Sequence, residues 1–295
     1  MQKIKFITDS ASDIPDDELR LYDITMLNIP IIVDGVGYRE REDFSFEKFY
    51  TILEEAKSIP KTSHILNIEY VEEYKKCYEQ GYTDIIVVSL CGAGSNMFQA
   101  ASMAVSMFFE EMPDAKNKIS IHVLDSKTYS MVYGFAVLVG ARMSQEGESV
   151  QAILDFLNDY FDSVESYFSV YSLAFAKKSG RISVAAAFIG EALGLRPILS
   201  IIDSEIKIVD KVRGDRNVVP KLVQLYKERS VDTSLPMFVL VGSQPEVADS
   251  FNTAFKEATG KEIVKKYMAG ASITINSGPK IIGIMLKGKS RINKA

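Results

Sequence analysis

The sequence is poor in the residues that build several common kinds of site, because its 295 residues include only two cysteines and two histidines. Cys77 and Cys91 cannot form the disulfide framework of a small secreted protein, so we expect a reducing, cytoplasmic location. His64 and His122 show no metal-ligand spacing with these cysteines. We therefore expect neither a metal site nor a bound cofactor.

Long hydrophobic runs are also absent. The longest, Met131 to Ala141, is well short of the ~20 residues that cross a bilayer. Asp9 and Asp13 interrupt the opening apolar segment, so no signal peptide is expected. The net charge is −5 and the basic residues are scattered, which argues against a dedicated nucleic-acid binder. A soluble chain of this length favours two domains.

The first half of the chain, residues 1–160, alternates strand and helix patterns. Apolar runs predict strands, and apolar residues at helical spacing predict helices. Such alternation is typical of a parallel sheet flanked by helices. The predicted strands are Lys3–Ile7, Thr25–Val33, a run from Asp84 and Ile119–Leu124, and the predicted helices begin near Ser45, Glu69, Ser95, Ser130 and Ser149.

Residues 161–295 predict a second domain of mixed α+β type. The strand-like runs Pro197–Ile202 and Glu205–Val212 are joined by Asp203-Ser204, which predicts a hairpin. Further predicted elements are a strand at Ser166–Leu173, helices at Val218–Glu228 and Glu246–Thr259, and strands at Met237–Val241, Ile263–Tyr267 and Ile281–Leu286. The expected fold class is thus α/β, with a parallel-sheet domain followed by a mixed domain.

Three polar clusters follow predicted parallel strands: Thr8-Asp9-Ser10, the loop Ser89–Ser95 and Asp125-Ser126. The carboxyl ends of parallel strands share one edge of the sheet, where ligands bind. The loop also holds Gly92 and Gly94 and precedes a predicted helix, whose N-terminus favours an anion. We therefore expect an anionic group to bind at this edge.

The loop does not match the common nucleotide or hydrolase motifs. Met97 stands where a dinucleotide-binding loop needs its third glycine, and the Lys-Ser/Thr ending of a phosphate loop is absent. The nucleophile pattern G-x-S-x-G is absent as well. A hydrolase or acyltransferase that uses Ser95 or Cys91 with His64 stays open. The hydroxyls of Thr62 and Ser63 are equally compatible with a turn and with binding a carboxylate.

Two segments are unusually apolar for surface helices. One is rich in methionine and phenylalanine between Met97 and Met112, and the other runs from Ala185 to Leu195. They could be ordinary core or the wall of an apolar tunnel, to which methionine is well suited. The tunnel candidates are Phe188, Ile189, Leu193 and Leu195.

The sequence resembles the DegV family of bacterial fatty-acid-binding proteins. Short motifs carry the resemblance in order along nearly the whole chain. They are Thr8–Pro15, Pro60–Ser63, Ser89–Ala101, Asp125–Met131, Lys178–Ser183, Leu195–Leu199 and Val212–Gly214.

The resemblance implies a two-domain carrier that buries a long-chain fatty acid between its domains. By carry-over, Thr62 and Ser95 bind the carboxylate, with Gly94 beside them, and Arg181 and Arg213 lie near the tunnel mouth. In the acyl-carrier branch of the family, the carrier presents its fatty acid to a separate kinase and has no catalytic base. The protein would then be no enzyme. A sensor or interaction protein with a structural lipid is the third reading.

Two departures from the family pattern concern the carboxylate site. Asn276 replaces the usual histidine of a His-Thr-Gly-Pro-Gly motif, and Lys280 replaces its last glycine. An amide donates hydrogen bonds but carries no charge. We expect Asn276 at the carboxylate and Lys280 at the mouth. No heptad pattern or exposed apolar stripe is evident, so we expect a monomer that makes at most transient contact with membranes.

Overall fold

The computed structural model of the chain describes residues 2–181 and 194–289, and its contacts divide the chain into two compact units. Unit 1 comprises Met1–Asp43 and Thr62–Phe161, and unit 2 comprises Phe44–Lys61 and Asp162–Ala295. The strands are β1 (Ile4–Asp9), β2 (Ile24–Leu27), β3 (Pro30–Val33), β4 (Val36–Arg39), β5 (Lys61–Thr62), β6 (Asp84–Ser89), β7 (Ser120–Asp125), β8 (Val164–Val170), β9 (Leu195–Ile202), β10 (Glu205–Arg213), β11 (Phe238–Val241), β12 (Lys265–Met268) and β13 (Ile281–Lys287).

The α-helices fall between these strands in both units. They are α1 (Asp16–Leu21), α2 (Phe46–Glu55), α3 (Asn67–Glu79), α4 (Met97–Glu111), α5 (Met131–Gln145), α6 (Val150–Ser163), α7 (Leu173–Ser179), α8 (Val218–Arg229), α9 (Val247–Thr259) and α10 (Ala271–Ser277). Within the described part of the chain, no helix has both the length and the apolar character needed to cross a membrane.

Unit 1 is built on a parallel sheet with the strand order β2-β1-β6-β7. Every residue of β6 is buried, as expected for a strand that helices cover on both faces. Consecutive parallel strands need crossovers, and α3, α4 and α5 lie in the segments around β6 and β7. The predicted α/β class is confirmed.

The predicted strand Thr25–Val33 is wrong in its extent, because the chain turns between two short strands. β2 pairs with β1, whereas β3 pairs with β4 in a separate three-stranded sheet of order β4-β3-β5. Ile29 lies at the break. Its N–H donates to the Ser10 Oγ at 3.0 Å, and its carbonyl accepts from Glu40 N–H at 3.0 Å. These bonds satisfy the backbone where the ladder stops.

Unit 2 contains a mixed sheet of order β10-β9-β8-β13-β11-β12, antiparallel except for the β11–β12 pair. The predicted hairpin between β9 and β10 is present. Asp203 and Ser204 both have positive φ, at 53° and 64°, as a two-residue hairpin turn requires. Helices α8 and α9 bury an apolar core against this sheet, with Phe251 and Phe255 fully buried.

Residues 44–61 lie in unit 2, whereas the predicted first domain included them as part of residues 1–160. Ser45 caps α2, as predicted, by accepting a hydrogen bond from Lys48 N–H at 3.2 Å. The Tyr50 hydroxyl then donates to the Ala269 carbonyl at 2.9 Å. Lys178 reaches the Ile59 carbonyl at 3.3 Å. These contacts join residues that are distant in sequence, and such contacts cannot be predicted from strand and helix periodicity.

Candidate functional site at the carboxyl edge of the parallel sheet

Two carboxylates hold the loop that follows β6. Asp9, at the end of β1, accepts a hydrogen bond from Leu90 N–H at 2.9 Å. Asp125, at the end of β7, accepts from Gly92 N–H at 2.9 Å and from Lys127 N–H at 2.8 Å. Because β1 and β7 flank β6, the three predicted polar clusters lie at one sheet edge. The loop is therefore fastened from both sides by charged acceptors, whose hydrogen bonds are stronger than neutral ones.

The loop closes in a tight turn before α4 begins. The Cys91 carbonyl accepts from Gly94 N–H at 2.9 Å and from Ser95 N–H at 3.1 Å. Cys91 N–H in turn donates to the Thr128 carbonyl at 3.1 Å. The helix starts at Met97 with Asn96 as its N-cap residue, slightly later than predicted. Ser95 is half-buried, its N–H closes the turn, and its Oγ accepts a hydrogen bond from Met97 N–H at 3.4 Å.

Gly94 is the point of closest approach between this loop and the loop before α5. A Cβ atom at Gly94 would overlap the hydroxyl of Tyr129. The same hydroxyl hydrogen-bonds the Cys91 sulfur. Burial raises the pKa of the Cys91 thiol, and the hydrogen bonds to it offset only part of that rise. Cys91 is therefore a protonated thiol at neutral pH and a poor nucleophile.

The hydrolase alternative requires His64 to act on Ser95 or Cys91. His64 is half-buried, and in the described part of the chain it makes no hydrogen bond to Cys91 or to Ser95. A serine or cysteine nucleophile needs a base within hydrogen-bonding reach. In the same part of the chain, no three metal-ligating side chains lie together.

Asp9 lies beneath the loop in the core of unit 1, with a side chain only 1% exposed. Its carboxylate also accepts from the Tyr133 hydroxyl at 2.6 Å and from Ala11 N–H at 3.2 Å. Burial raises the pKa of Asp9 to about 6, against the opposing effect of these hydrogen bonds, and the nearby Glu40 adds to the rise. Glu40 is equally buried and accepts from the Ser10 Oγ at 2.8 Å.

The other predicted carboxylate ligands lie on separate elements. Thr62 is half-buried at the end of β5 in unit 1, where the next residue, Ser63, donates its N–H to the Pro30 carbonyl at 2.9 Å. Asn276 lies on α10 in unit 2. Its side-chain amide N–H donates to the Ser272 carbonyl at 2.7 Å, so one donor of the amide is already used within its own helix.

The residues predicted for the tunnel and its mouth belong to unit 2. Leu195 and Arg213 are register partners in the β9–β10 ladder. Arg181 is exposed just after α7 and donates to the Ser179 carbonyl at 2.8 Å. Lys280 is exposed before β13. Phe188, Ile189 and Leu193 lie outside the described residues.

The fold and the site define a class: a two-unit α/β protein with a rigid, hydroxyl-bearing loop at the carboxyl edge of a parallel sheet. The model of a family described as "Uncharacterised protein, DegV family" matches residues 3–289. The chain therefore belongs to the DegV family.

Individual relatives agree with this assignment. A DegV domain-containing protein of Caldanaerobacter subterraneus is 28% identical over 98% of this chain and all of the relative. The structure described as DegV, a fatty acid binding protein from Bacillus subtilis, is 26% identical, covers 98% of this chain and all of its own, and has a TM-score of 0.84. A stearic acid-binding protein from Eubacterium ventriosum shares the fold at 24% identity and a TM-score of 0.85, covering 98% and 99% of the two chains.

Asp9, Asp125 and Tyr129 were not predicted as individual site residues. Asp9 and Asp125 carry a recognisable signal, since each ends a predicted parallel strand next to a serine. Tyr129 carries none, because its position depends on how two loops meet.

The buried Asp9 predicts an unusual pH dependence of stability. Its folded-state pKa of about 6 exceeds the usual 3.8, so the folded protein holds this proton more tightly than the unfolded chain. Asp9 therefore destabilises the folded protein more and more as pH rises from about 4 to about 6. Relative to an Asp9→Asn variant, the wild-type free energy of unfolding should fall over this range by up to about 3 kcal/mol. Equilibrium urea unfolding at several pH values measures the difference.

An Asp23→Asn variant provides the contrasting control. Burial raises the pKa of Asp23, but hydrogen bonds from Lys5 and Tyr82 outweigh it and lower the pKa overall. Relative to Asp23→Asn, the wild type should instead gain stability as pH rises toward the usual value of 3.8 and show little change above it, because a lowered pKa stabilises the fold as pH rises through it. If the wild-type free energy of unfolding, relative to that of Asp9→Asn, stayed constant or rose over the same pH range, the raised pKa of Asp9 would be contradicted.

Gly94→Ala tests the close approach of the two loops. The backbone of Gly94 does not have positive φ, so the cost is the overlap with the Tyr129 hydroxyl. Overpacking of this kind destabilises by about 1–3 kcal/mol. Adding Tyr129→Ala should make the double variant less unstable than the two single changes together predict. Gly37→Ala is the control, because a Cβ there meets open space, and it should leave the thermal unfolding temperature nearly unchanged. Additive effects of the changes at residues 94 and 129 would contradict the contact between them.

Proposed function

We propose that this protein is a carrier that binds one long-chain fatty acid and holds its carboxylate at the loop of residues 90–95. The observation that carries the proposal is the full-length similarity to the fatty acid binding protein of Bacillus subtilis, at 26% identity with a TM-score of 0.84. The loop geometry supports it, since Asp9 and Asp125 fix the backbone that presents the Ser95 hydroxyl. Thr62, Gly94 and Asn276 complete the proposed carboxylate site.

The acyl chain supplies most of the binding energy in this proposal. Burying a methylene yields about 0.8 kcal/mol, so about fourteen methylenes give roughly 11 kcal/mol before costs. Association and ordering remove a large share of this. A hydrogen bond adds only about 1 kcal/mol, or somewhat more to a charged group. The tail therefore sets affinity, in a tunnel to which we assign Phe188, Ile189, Leu193 and Leu195, and the hydroxyls of Thr62 and Ser95 set orientation.

A carrier fits the site better than an enzyme does. The pKa of the Cys91 thiol is raised chiefly by its burial, and His64 makes no hydrogen bond to either proposed nucleophile within the described residues. The solved relatives are described by the fatty acids that they bind. We accordingly assign no catalytic residue and no cofactor, with a monomeric, cytoplasmic protein as the working form.

Mass spectrometry of the purified protein tests the binding proposal. Under native conditions we expect one fatty acid per chain, which is released and identified after denaturation. The wild-type protein, emptied and mixed with stearic acid, should take it up again. A protein that is isolated empty and takes up no added fatty acid would overturn the proposal.

Thr62→Ala and Ser95→Ala should weaken stearic acid binding only modestly, by roughly 5-fold to 10-fold each, because a hydrogen bond nets about 1 kcal/mol. Ser102→Ala is the matched control, since its hydroxyl donates to the Phe98 carbonyl within α4. It should bind as the wild type does. Unchanged affinity in both site variants, measured by competition with a fluorescent fatty acid, would remove these two residues from the carboxylate site.

Delivery of the bound acid to a fatty-acid kinase is the finer part of the proposal, with Arg181, Arg213 and Lys280 as the contact residues. Charge reversal by Arg181→Glu or Arg213→Glu should slow acyl-phosphate formation when a bacterial fatty-acid kinase and ATP are added. Stearic acid uptake should stay unchanged. Lys227→Glu, an exposed change at the end of α8, is the control. Equal rates for all three variants and the wild type would exclude this contact surface.

A further inference from the structure

Tyr129 lies at the candidate site in a position that its surroundings determine closely. The loop between β7 and α5 is tied to the end of β6, because Ser126 N–H donates to the Ser89 carbonyl at 3.1 Å and the Thr128 carbonyl accepts from Cys91. Immediately after Tyr129, Ser130 has a φ of 59°, a conformation that is costly for a residue other than glycine. The buried hydroxyl of Ser130 holds it there by donating to Asp13.

The Tyr129 hydroxyl contacts the loop that follows β6 at one specific point. It lies against Gly94, where any Cβ would overlap it, and it hydrogen-bonds the Cys91 sulfur. Ser95 is the next residue, and its N–H shares the Cys91 carbonyl with Gly94 N–H. The Tyr129 hydroxyl thus lies against the tight turn that carries the Ser95 hydroxyl. The absence of a side chain at Gly94 makes room for the phenol.

The chemistry of these groups favours an anion over sulfur as the partner of the phenol proton. A phenol has one proton to donate and can also accept, whereas a thiol is only a weak acceptor and a weak donor. A carboxylate is a much better acceptor, because hydrogen bonds to an ionised group are roughly twice as strong. Burial of the Cys91 thiol raises its pKa, so the S–H proton is retained and can be donated to the phenol oxygen.

We propose that Tyr129 is a further ligand of the fatty-acid carboxylate, whose hydroxyl donates to a carboxylate oxygen while the Cys91 S–H donates to the tyrosine oxygen. No covalent bond is made or broken, and each proton stays on its own heavy atom. The inference rests on the proposed fatty-acid binding and adds a determinant of specificity to it. Tyr129 makes the site discriminate a carboxylate from an uncharged head group on the same chain.

The test compares stearic acid with stearyl alcohol, which has the same chain length and no carboxylate. Both are delivered from cyclodextrin, and binding is measured by competition with a fluorescent fatty acid. Tyr129→Phe keeps the ring and removes the hydroxyl. We expect stearic acid to bind about 10-fold more weakly, the effect of losing one hydrogen bond to a charged group. Stearyl alcohol should bind within twofold of its wild-type affinity.

Tyr82→Phe is the matched control. It makes the same chemical change at the opposite edge of the parallel sheet, before β6, where the hydroxyl donates to Asp23 at 2.8 Å. It should leave the ratio of the two affinities unchanged. Thermal unfolding of both variants shows whether either fold has been altered.

The outcomes separate this inference from the proposed function. If the wild type binds stearic acid and Tyr129→Phe binds it equally tightly, the role of Tyr129 is overturned. The proposed carrier function is then unaffected. Equal weakening of acid and alcohol also overturns it, because a purely structural role would affect both ligands. A wild-type protein that binds neither ligand overturns the proposed function and this inference together.

Discussion

The hydrogen bond from Leu90 N–H to the Asp9 carboxylate is the interaction on which the rest of the candidate site depends. It joins the end of β1 to the loop after β6, while the Tyr133 hydroxyl joins the same carboxylate to α5. A buried carboxylate is costly unless hydrogen bonds compensate it, and those bonds now hold three elements at fixed distances. Asp125 repeats the arrangement from β7. These bonds hold Ser95 and the neighbouring segment of Tyr129 in place, which in the proposed function reduces the ordering cost of binding.

The same arrangement explains why small residues occur at Gly92 and Gly94. A Cβ at Gly92 would lie 2.7 Å from an Asp125 carboxylate oxygen, and one at Gly94 would overlap the Tyr129 hydroxyl. The glycines thus allow close packing between loops. Gly94 N–H is used in the turn at Cys91. The carboxylate site that we propose therefore relies mainly on side-chain hydroxyls.

Periodicity predicted most of the fold, because most of the longer strands and helices bury a recognisable apolar pattern, whereas the short β4 and β5 contain no buried residue. β6 contains the apolar run Ile85–Val88 and is fully buried, and the β9–β10 hairpin carries turn residues that tolerate positive φ. Short helices such as α7 and α10 were not predicted, since seven residues give too little pattern. The polar edge was predictable because strand ends are visible in the sequence. The contact of Tyr129 with Gly94 and the place of residues 44–61 in unit 2 were not, since both depend on tertiary contacts.

The most direct test of the account is a pair of amide NMR spectra of the isotopically labelled protein, recorded with and without stearic acid. The central claim is that the carboxylate binds at the loop held by Asp9 and Asp125. It predicts that the amides of residues 90–97 and 129 and that of Thr62 are among those in unit 1 that shift most. Unshifted amides at residues 90–97, with large shifts elsewhere in unit 1, would contradict the account.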